Sequence, residues 1–375
     1  MLTEKTGIGP GLLFVTVFSA IYGYGLLLSM FFTAKYFGVS GYWGAVLVFL
    51  LMVPVIYAVT DLGRRFPGQS LIAYLPEVMG KVLGRIIGVG YLLFMIVLTG
   101  WAILTISGIF NTYDLPRTPL QVIFGLILMM VFYITGKGVE GITRVAAMLF
   151  VFCMMFILLY TALSFQNFRL DNVLPIADFT MKDMTNGKYL NGLISLFNVG
   201  LPLSMLFIVY PYLTEQRKGR KILFGAAGLA VLLIGFAIVS AIGNYGAKGV
   251  LQYAWPYMEQ GEQINIPYVV ISFGLFMPTI MLILVLFGSS SFYFAAAQGC
   301  AELFGRFKFR TYRWFLLPVI YFCSAWTTNA VLQRMFFEYF KVIGFIMVFG
   351  MPLFVWLVAV VRRRGITGRE RGLRK

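Results

Sequence analysis

Long apolar runs, separated by short polar or glycine- and proline-rich breaks, set the pattern of this chain. A bilayer's hydrocarbon core is about 30 Å thick, so a spanning helix needs about 20 apolar residues in a row. Splitting the chain at its breaks gives ten such stretches, at 9–33, 40–60, 84–110, 118–136, 142–164, 190–213, 222–245, 267–303, 314–331 and 339–361. The stretch 267–303 is too long for one untilted span. It is expected to continue as helix beyond the membrane, since Gln298 and Glu302 occupy its last turns and Arg306 follows. The expected fold class is all-α membrane with ten transmembrane helices, and residues 1–375 are expected to form a single integral membrane domain.

The spans divide into a first half (1–164), an outer loop (165–189), a second half (190–361) and a basic tail (362–375). Five spans per half is an odd number, so the second half starts on the opposite face of the membrane. That is the arithmetic of an inverted-topology repeat. Helix breakers support the division. The first span holds Gly23-Tyr24-Gly25 near mid-depth, and the sixth holds Gly200-Leu201-Pro202. An interior glycine loosens a helix by about 1 kcal/mol and an interior proline by about 3 kcal/mol. In lipid, freed backbone groups are tolerated only where they line a cavity or meet protein. The pattern predicts that helices 1 and 6 are both broken around a midplane binding site. The competing reading is that glycines allow close helix packing and prolines merely kink, as expected for Pro54, Pro278, Pro318 and Pro352.

Composition agrees with the pattern. Apolar residues make up 60% of the chain, charged ones 12%, and the mean hydropathy is +0.87; soluble domains carry about 45–50% and about 25%. The net charge of +16 would suggest nucleic acid in a soluble protein. Here it is read as topology. Apart from Lys35, Arg117, Arg169, Lys182, Lys188, Lys248, Arg334 and Lys341, every Lys and Arg falls on the side that holds both termini, while the acids split evenly. The positive-inside rule places both termini in the cytoplasm, with some attraction to anionic lipid. The first apolar run lacks a small-residue cleavage pattern and is expected to be a retained helix.

No histidine is present, which excludes imidazole bases, metal ligands and pH switches. Cys153, Cys300 and Cys323 are isolated thiols with no CxxC pair. No acid or base falls in the middle of a span, which argues against a proton relay and leaves an enzyme without a general base. No catalytic residue, metal site or cofactor is expected.

A zwitterionic guest at a broken helix needs free N–H groups for its carboxylate and oxygens for its ammonium. Gly23, Tyr24, Gly25 and Gly200 are the candidate backbone donors. Asn198 is the amide near mid-depth in the sixth span, suited to orienting a ligand or, equally, to an interhelical hydrogen bond worth about 0.6–2 kcal/mol. Ser289, Ser290 and Ser291 form the most polar run within any span. Membrane serines often bond back to their own helix, yet three in a row sweep about 200°, so at least one faces the interior. Thr99 is a further candidate, and neighbouring Trp101 reads as packing. On the outer face, loop 246–266 with Trp255, Pro256 and Tyr257 suits either a vestibule cap or partner docking.

Between spans two and three lies Arg64-Arg65-Phe66-Pro67-Gly68-Gln69-Ser70-Leu71, followed by Tyr74-Leu75-Pro76-Glu77-Val78-Met79-Gly80-Lys81 and Gly84-Arg85. Physically this is a cationic anchor, a Pro-Gly turn, a Ser70 helix cap and an amphipathic stretch expected to lie along the interface, serving lipid anchoring or relay to a partner. With Leu174-Pro175, and Pro211-Tyr212 leading into Arg217-Lys218-Gly219-Arg220-Lys221, the layout resembles the B-subunit family of endospore germinant receptors, the spore germination permease branch of the amino acid–polyamine–organocation superfamily. The resemblance implies a LeuT-like 5+5 inverted repeat in the spore inner membrane. It also implies an A-type membrane subunit and a C-type lipoprotein as partners, and the sensing of a germinant such as an amino acid or sugar. Many relatives place an acid beside the sixth-helix break, whereas this chain has Asn198-Val199-Gly200-Leu201-Pro202. Besides the germinant-receptor reading, an ion-coupled amino acid transporter and a ligand-free scaffold remain open.

Overall fold

A computed structural model describes residues 7–175, 187–264, 274, 276–325 and 330–362. The helices are α1 (Pro10–Phe37), α2 (Trp43–Arg65), α3 (Leu71–Met79), α4 (Lys81–Tyr113), α5 (Leu120–Thr135), α6 (Gly138–Leu163), α7 (Gly187–Leu196) and α8 (Leu203–Val209). They continue with α9 (Gln216–Val250), α10 (Pro256–Gln263), α11 (Phe276–Phe304), α12 (Phe309–Ala325), α13 (Ala330–Phe345) and α14 (Met351–Val361). Among the described residues eight helical stretches are long and apolar enough to cross a membrane, and Leu120–Thr135 is a shorter apolar helix. The expected fourth and ninth spans are the short ones, with 16 and 17 residues in α5 and α12. The basic tail beyond Arg362, the middle of loop 165–189, the start of the eighth span and the end of the ninth lie outside the described residues.

α1 is the central rod. Proline fits its first position, where the N–H has no intrahelical partner, and Gly38 with φ +59° closes it. Its side chains are buried almost all round, against α6, α7, α9 and α11. Apolar residues left exposed on α5 and α6, such as Leu126, Met148 and Val151, form the outward surface expected to meet lipid.

The break expected in the first span is absent: α1 is continuous through Gly23, Tyr24 and Gly25. The reason is packing. A Cβ on Gly23 would lie 3.0 Å from Leu284 of α11, and one on Gly25 would lie 2.4 Å from Ile234 and 2.9 Å from Val199. Close approach of three neighbours offsets the glycines' flexibility, and every backbone donor is still present. At the break expected in the sixth span the helix tightens locally, with helical dihedrals kept at Leu196, Leu201 and Pro202. α7 passes into a 3₁₀ turn at Phe197–Gly200, then through Leu201 and Pro202 into α8.

α3 also departs from expectation. Rather than lying on lipid, it is docked in the protein: Leu71, Ile72, Tyr74, Leu75 and Val78 are buried, and Tyr74 stacks on Phe66 at 4.7 Å. Ser70 does cap it, accepting from the Ala73 N–H at 3.4 Å, and its hydroxyl also donates to Glu302 at the end of α11. Gly84 makes the docking possible, since a Cβ there would stand 2.7 Å from the backbone of Leu75 and Pro76. Lys341, expected among the outer-face cations, is only 4% exposed, paired with Glu338 and facing the Tyr36 ring. One parallel bridge, Ile8 with Leu213, ties the residues before α1 to the end of the sixth span.

Candidate ligand site

Pro202 determines the geometry of the sixth span. It has no N–H for the carbonyl of Asn198 four residues earlier, and that carbonyl instead takes the Leu201 N–H at 3.1 Å. The tightening continues as Ser204 N–H donates to Leu201 O (3.0 Å) and Met205 N–H to Pro202 O (3.2 Å). The Ser204 hydroxyl adds a bond to Leu201 O at 2.6 Å, and the Tyr91 hydroxyl of α4 reaches Ser204 O at 2.5 Å. The turn is therefore held by short-range bonds and by one strut from α4.

Asn198 stands at this turn and is 1% exposed. Its Nδ2 donates to Ser195 O at 2.9 Å, while its Oδ1 has no hydrogen-bond partner among the described residues. A buried acceptor left unpaired costs about 1–3 kcal/mol. It points toward α13, where a Cβ on Gly344 would lie 3.2 Å from it. Phe197 is set between Phe345 (5.2 Å) and Phe349 (5.7 Å), beside a π-helical turn at Ile346–Gly350. Such turns are rare and often occur at functional sites.

On the other side of α1 the serine run of α11 divides its roles. Ser289 shares a long hydrogen bond (3.4 Å) with the Tyr24 hydroxyl. Ser291 bonds back to Phe287 O at 2.9 Å. Ser290 is buried with no partner for its hydroxyl among the described residues, although its carbonyl accepts from Thr135 of α5 at 3.3 Å. Thr99 bonds back to Met95 O at 2.7 Å and is satisfied within its own helix. Tyr24 contacts Trp101 (6.4 Å) and Phe292 (5.2 Å). The candidates thus form two groups separated by α1: Asn198 and Gly200 on one side, Tyr24, Ser289 and Ser290 on the other.

Two cavities border α1. One, of about 10 Å³, is lined by Ser29, Gly44, Ala45, Val48, Leu196, Val199 and three residues of α9. The other, also about 10 Å³, lies between α1 and Trp255–Met258 at the start of α10. Each has roughly the room one water needs. α10 is held over α1 by hydroxyls: Tyr22 meets Tyr257 at 3.2 Å, and Tyr160 donates to Tyr257 O. Just outside the spans, burial and the nearby Glu262 raise the Asp114 carboxyl above its usual value. No group of three His, Cys, Asp or Glu side chains suited to a metal occurs among the described residues.

A sequence profile for the family described as "Spore germination protein" matches residues 8–332. The chain belongs to that family. Spore germination protein A2 of Bacillus subtilis is 23% identical over 354 residues, covering 93% of this chain and 94% of that one. Spore germination protein YndE of the same organism is 22% identical over 275 residues, covering 72% of this chain and 73% of the relative. Among solved structures, MhsT in complex with L-phenylalanine superposes with a TM-score of 0.71 at 13% identity, covering 93% of this chain and 88% of MhsT. That likeness establishes the LeuT-type fold. This spore germination protein is an all-α, multi-pass membrane protein of permease type.

Several residues of this family member that the sequence reading passed over border the site. Ser29 is buried, its hydroxyl has no partner among the described residues, and it lines the cavity against Val199. A signal was available: Gly25, Ser29 and Thr33 recur every four residues, a stripe of small residues on one face of α1. Tyr91 and Gly344 carried no such signal, because their partners lie more than a hundred residues away in sequence.

Proposed function

We propose that this protein is the membrane subunit of a spore germinant receptor. It binds a small nutrient, an amino acid or a sugar, at the interrupted sixth span, and acts with an A-type membrane subunit and a C-type lipoprotein, with both termini in the cytoplasm. The observation that carries the reading is the buried amide oxygen of Asn198 at the Phe197–Gly200 turn, which has no partner among the described residues. An acceptor kept without a partner is matched to a donor that arrives with a ligand, such as an ammonium or a sugar hydroxyl. Unpaired hydroxyls on Ser29 and Ser290 supply further polar contacts. The candidate residues carry no formal charge, which favours a neutral or zwitterionic ligand.

The bordering cavities are far smaller than any nutrient. Binding in either of them requires the helices to part, and the ligand acts by preferring that opened arrangement. The family membership and the fold of a protein solved with L-phenylalanine support the reading. The test is germination of spores carrying Asn198→Ala across a germinant dose series. A shift of about tenfold or more to higher concentrations is expected; an unchanged dose response, with normal protein level, rejects Asn198 as a ligand contact.

The MhsT-like fold also favours a second reading, an ion-coupled amino acid transporter. Labelled amino acid uptake into proteoliposomes separates the two. Saturable, gradient-dependent flux favours the transporter, and binding without flux favours the receptor.

A further inference from the structure

We propose that the junction of α5 and α12 binds the phosphate of an anionic phospholipid headgroup through Arg313. Arg313 makes three close contacts, two of them through its guanidinium. It stacks on the Phe132 ring at 4.3 Å, and its backbone carbonyl accepts the Tyr293 hydroxyl at 2.6 Å. It also lies so close to Gly136 that a Cβ there would collide with Nη1. Yet the Nε is buried with no acceptor among the described residues.

Nor does a carboxylate among the described residues pair with it. The ion pairs among the described residues are Arg65–Asp61, Arg144–Glu140, Lys218–Glu215 and Lys341–Glu338. Glu140, the acid in the first turn of the adjoining α6, is thus already engaged by Arg144, and Glu302 of α11 accepts from Ser70 and Gln298. What surrounds Arg313 is more positive charge: Arg310 one turn earlier on α12, and Lys137 directly after Gly136. One guanidinium donor kept from water without an acceptor is unfavourable, and because the side chain is otherwise partly exposed, an anion from outside the chain can reach it.

Position identifies its source. α5 ends at Thr135 and α12 begins at Phe309, so the site lies at the level where spans meet headgroups. Tyr133, Trp314 and Phe315 are each more than half exposed there, the arrangement of an aromatic interfacial belt. Phosphodiester oxygens match the guanidinium fork, and the surplus of cations favours a lipid of net negative charge over a zwitterionic one. Free phosphate offers the same oxygens but no acyl chain to lie along Trp314 and Phe315.

Native mass spectrometry of the purified full chain, given phosphatidylglycerol and phosphatidylcholine in equal amounts, tests the proposal. Retention of phosphatidylglycerol with a preference of about tenfold is expected. Arg313→Ala should abolish that preference and Arg144→Ala should preserve it. Arg313→Lys, which keeps the charge if the alanine variant does not fold, should reduce it by a smaller factor. Inorganic phosphate alone should leave thermal stability unchanged. Either Arg313 variant binding as the wild type does, equal retention of the two lipids, or stabilisation by phosphate equal to that by lipid overturns the proposal.

Discussion

Two glycines lie inside the first span and leave it a continuous α-helix, while a glycine and a proline in the sixth span accompany a 3₁₀ turn. The difference lies in what each residue removes. A glycine gives up side-chain contacts and adds flexibility, and both can be compensated by a neighbour that moves into the freed space. Ile234, Val199 and Leu284 occupy that space around α1. A proline removes a hydrogen-bond donor, which no neighbouring apolar side chain can replace. At Gly200 an added Cβ would meet only ordinary contacts, 3.4 Å to Phe197 and 3.5 Å to Met52. Tight glycines thus mark a helix under compression, and the roomy glycine marks one free to turn.

Substitutions can break or sharpen this contrast. The largest effect is expected from Gly25→Ala, which forces a methyl to within 2.4 Å of Ile234; overpacking of this kind costs about 1–3 kcal/mol. Its thermal unfolding temperature should fall clearly, and adding Ile234→Ala should recover part of the loss. Gly200→Ala should leave the unfolding temperature nearly unchanged. An equal loss in the two variants would erase the distinction between them. Pro202→Ala restores an N–H opposite the Asn198 carbonyl, so a more helical and modestly more stable sixth span is expected, by about 1 kcal/mol. If the turn is needed for signalling, that stabilised variant should respond more weakly to germinant, a trade of function for stability.

The smallest effect concerns Asp114, which lies outside both regions. Its carboxyl is raised by burial and by Glu262, so the fold favours the protonated form. The stability it contributes is present in acid and lost as pH rises through its folded value. Asp114→Asn should therefore raise the unfolding temperature slightly at neutral pH, with the gain shrinking as the solution is acidified. A gain independent of pH would show that the carboxyl's charge is not the cause.

What could be read in the sequence was whatever depends on near neighbours along the chain. The positions of most apolar spans, the Ser70 cap and the tightening at Pro202 are local, and the structure has them, with eight stretches of membrane-spanning length among the described residues. What could not be read depends on distant partners. Whether Gly23 and Gly25 bend or compress α1 is decided by Leu284 and Ile234. Whether the amphipathic segment after Ser70 rests on lipid or on protein is decided by Glu302, by Gly84 and by burial of Tyr74. The serine run of α11 fell between the two cases. Geometry required one hydroxyl to face inward, but only the fold assigns the Tyr24 contact to Ser289.

The backbone bonds from Ile8 N–H to Tyr212 O (2.9 Å) and from Thr214 N–H to Ile8 O (3.1 Å) carry a mechanical consequence. They hitch the end of the sixth span to the foot of the central rod. α7, on the other side of the Asn198 turn, packs on α1 as well, so the sixth span is fastened to the rod on both sides of that turn. The turn itself lies against the Phe345 and Phe349 rings, so the central rod, the sixth span and α13 all meet at one place.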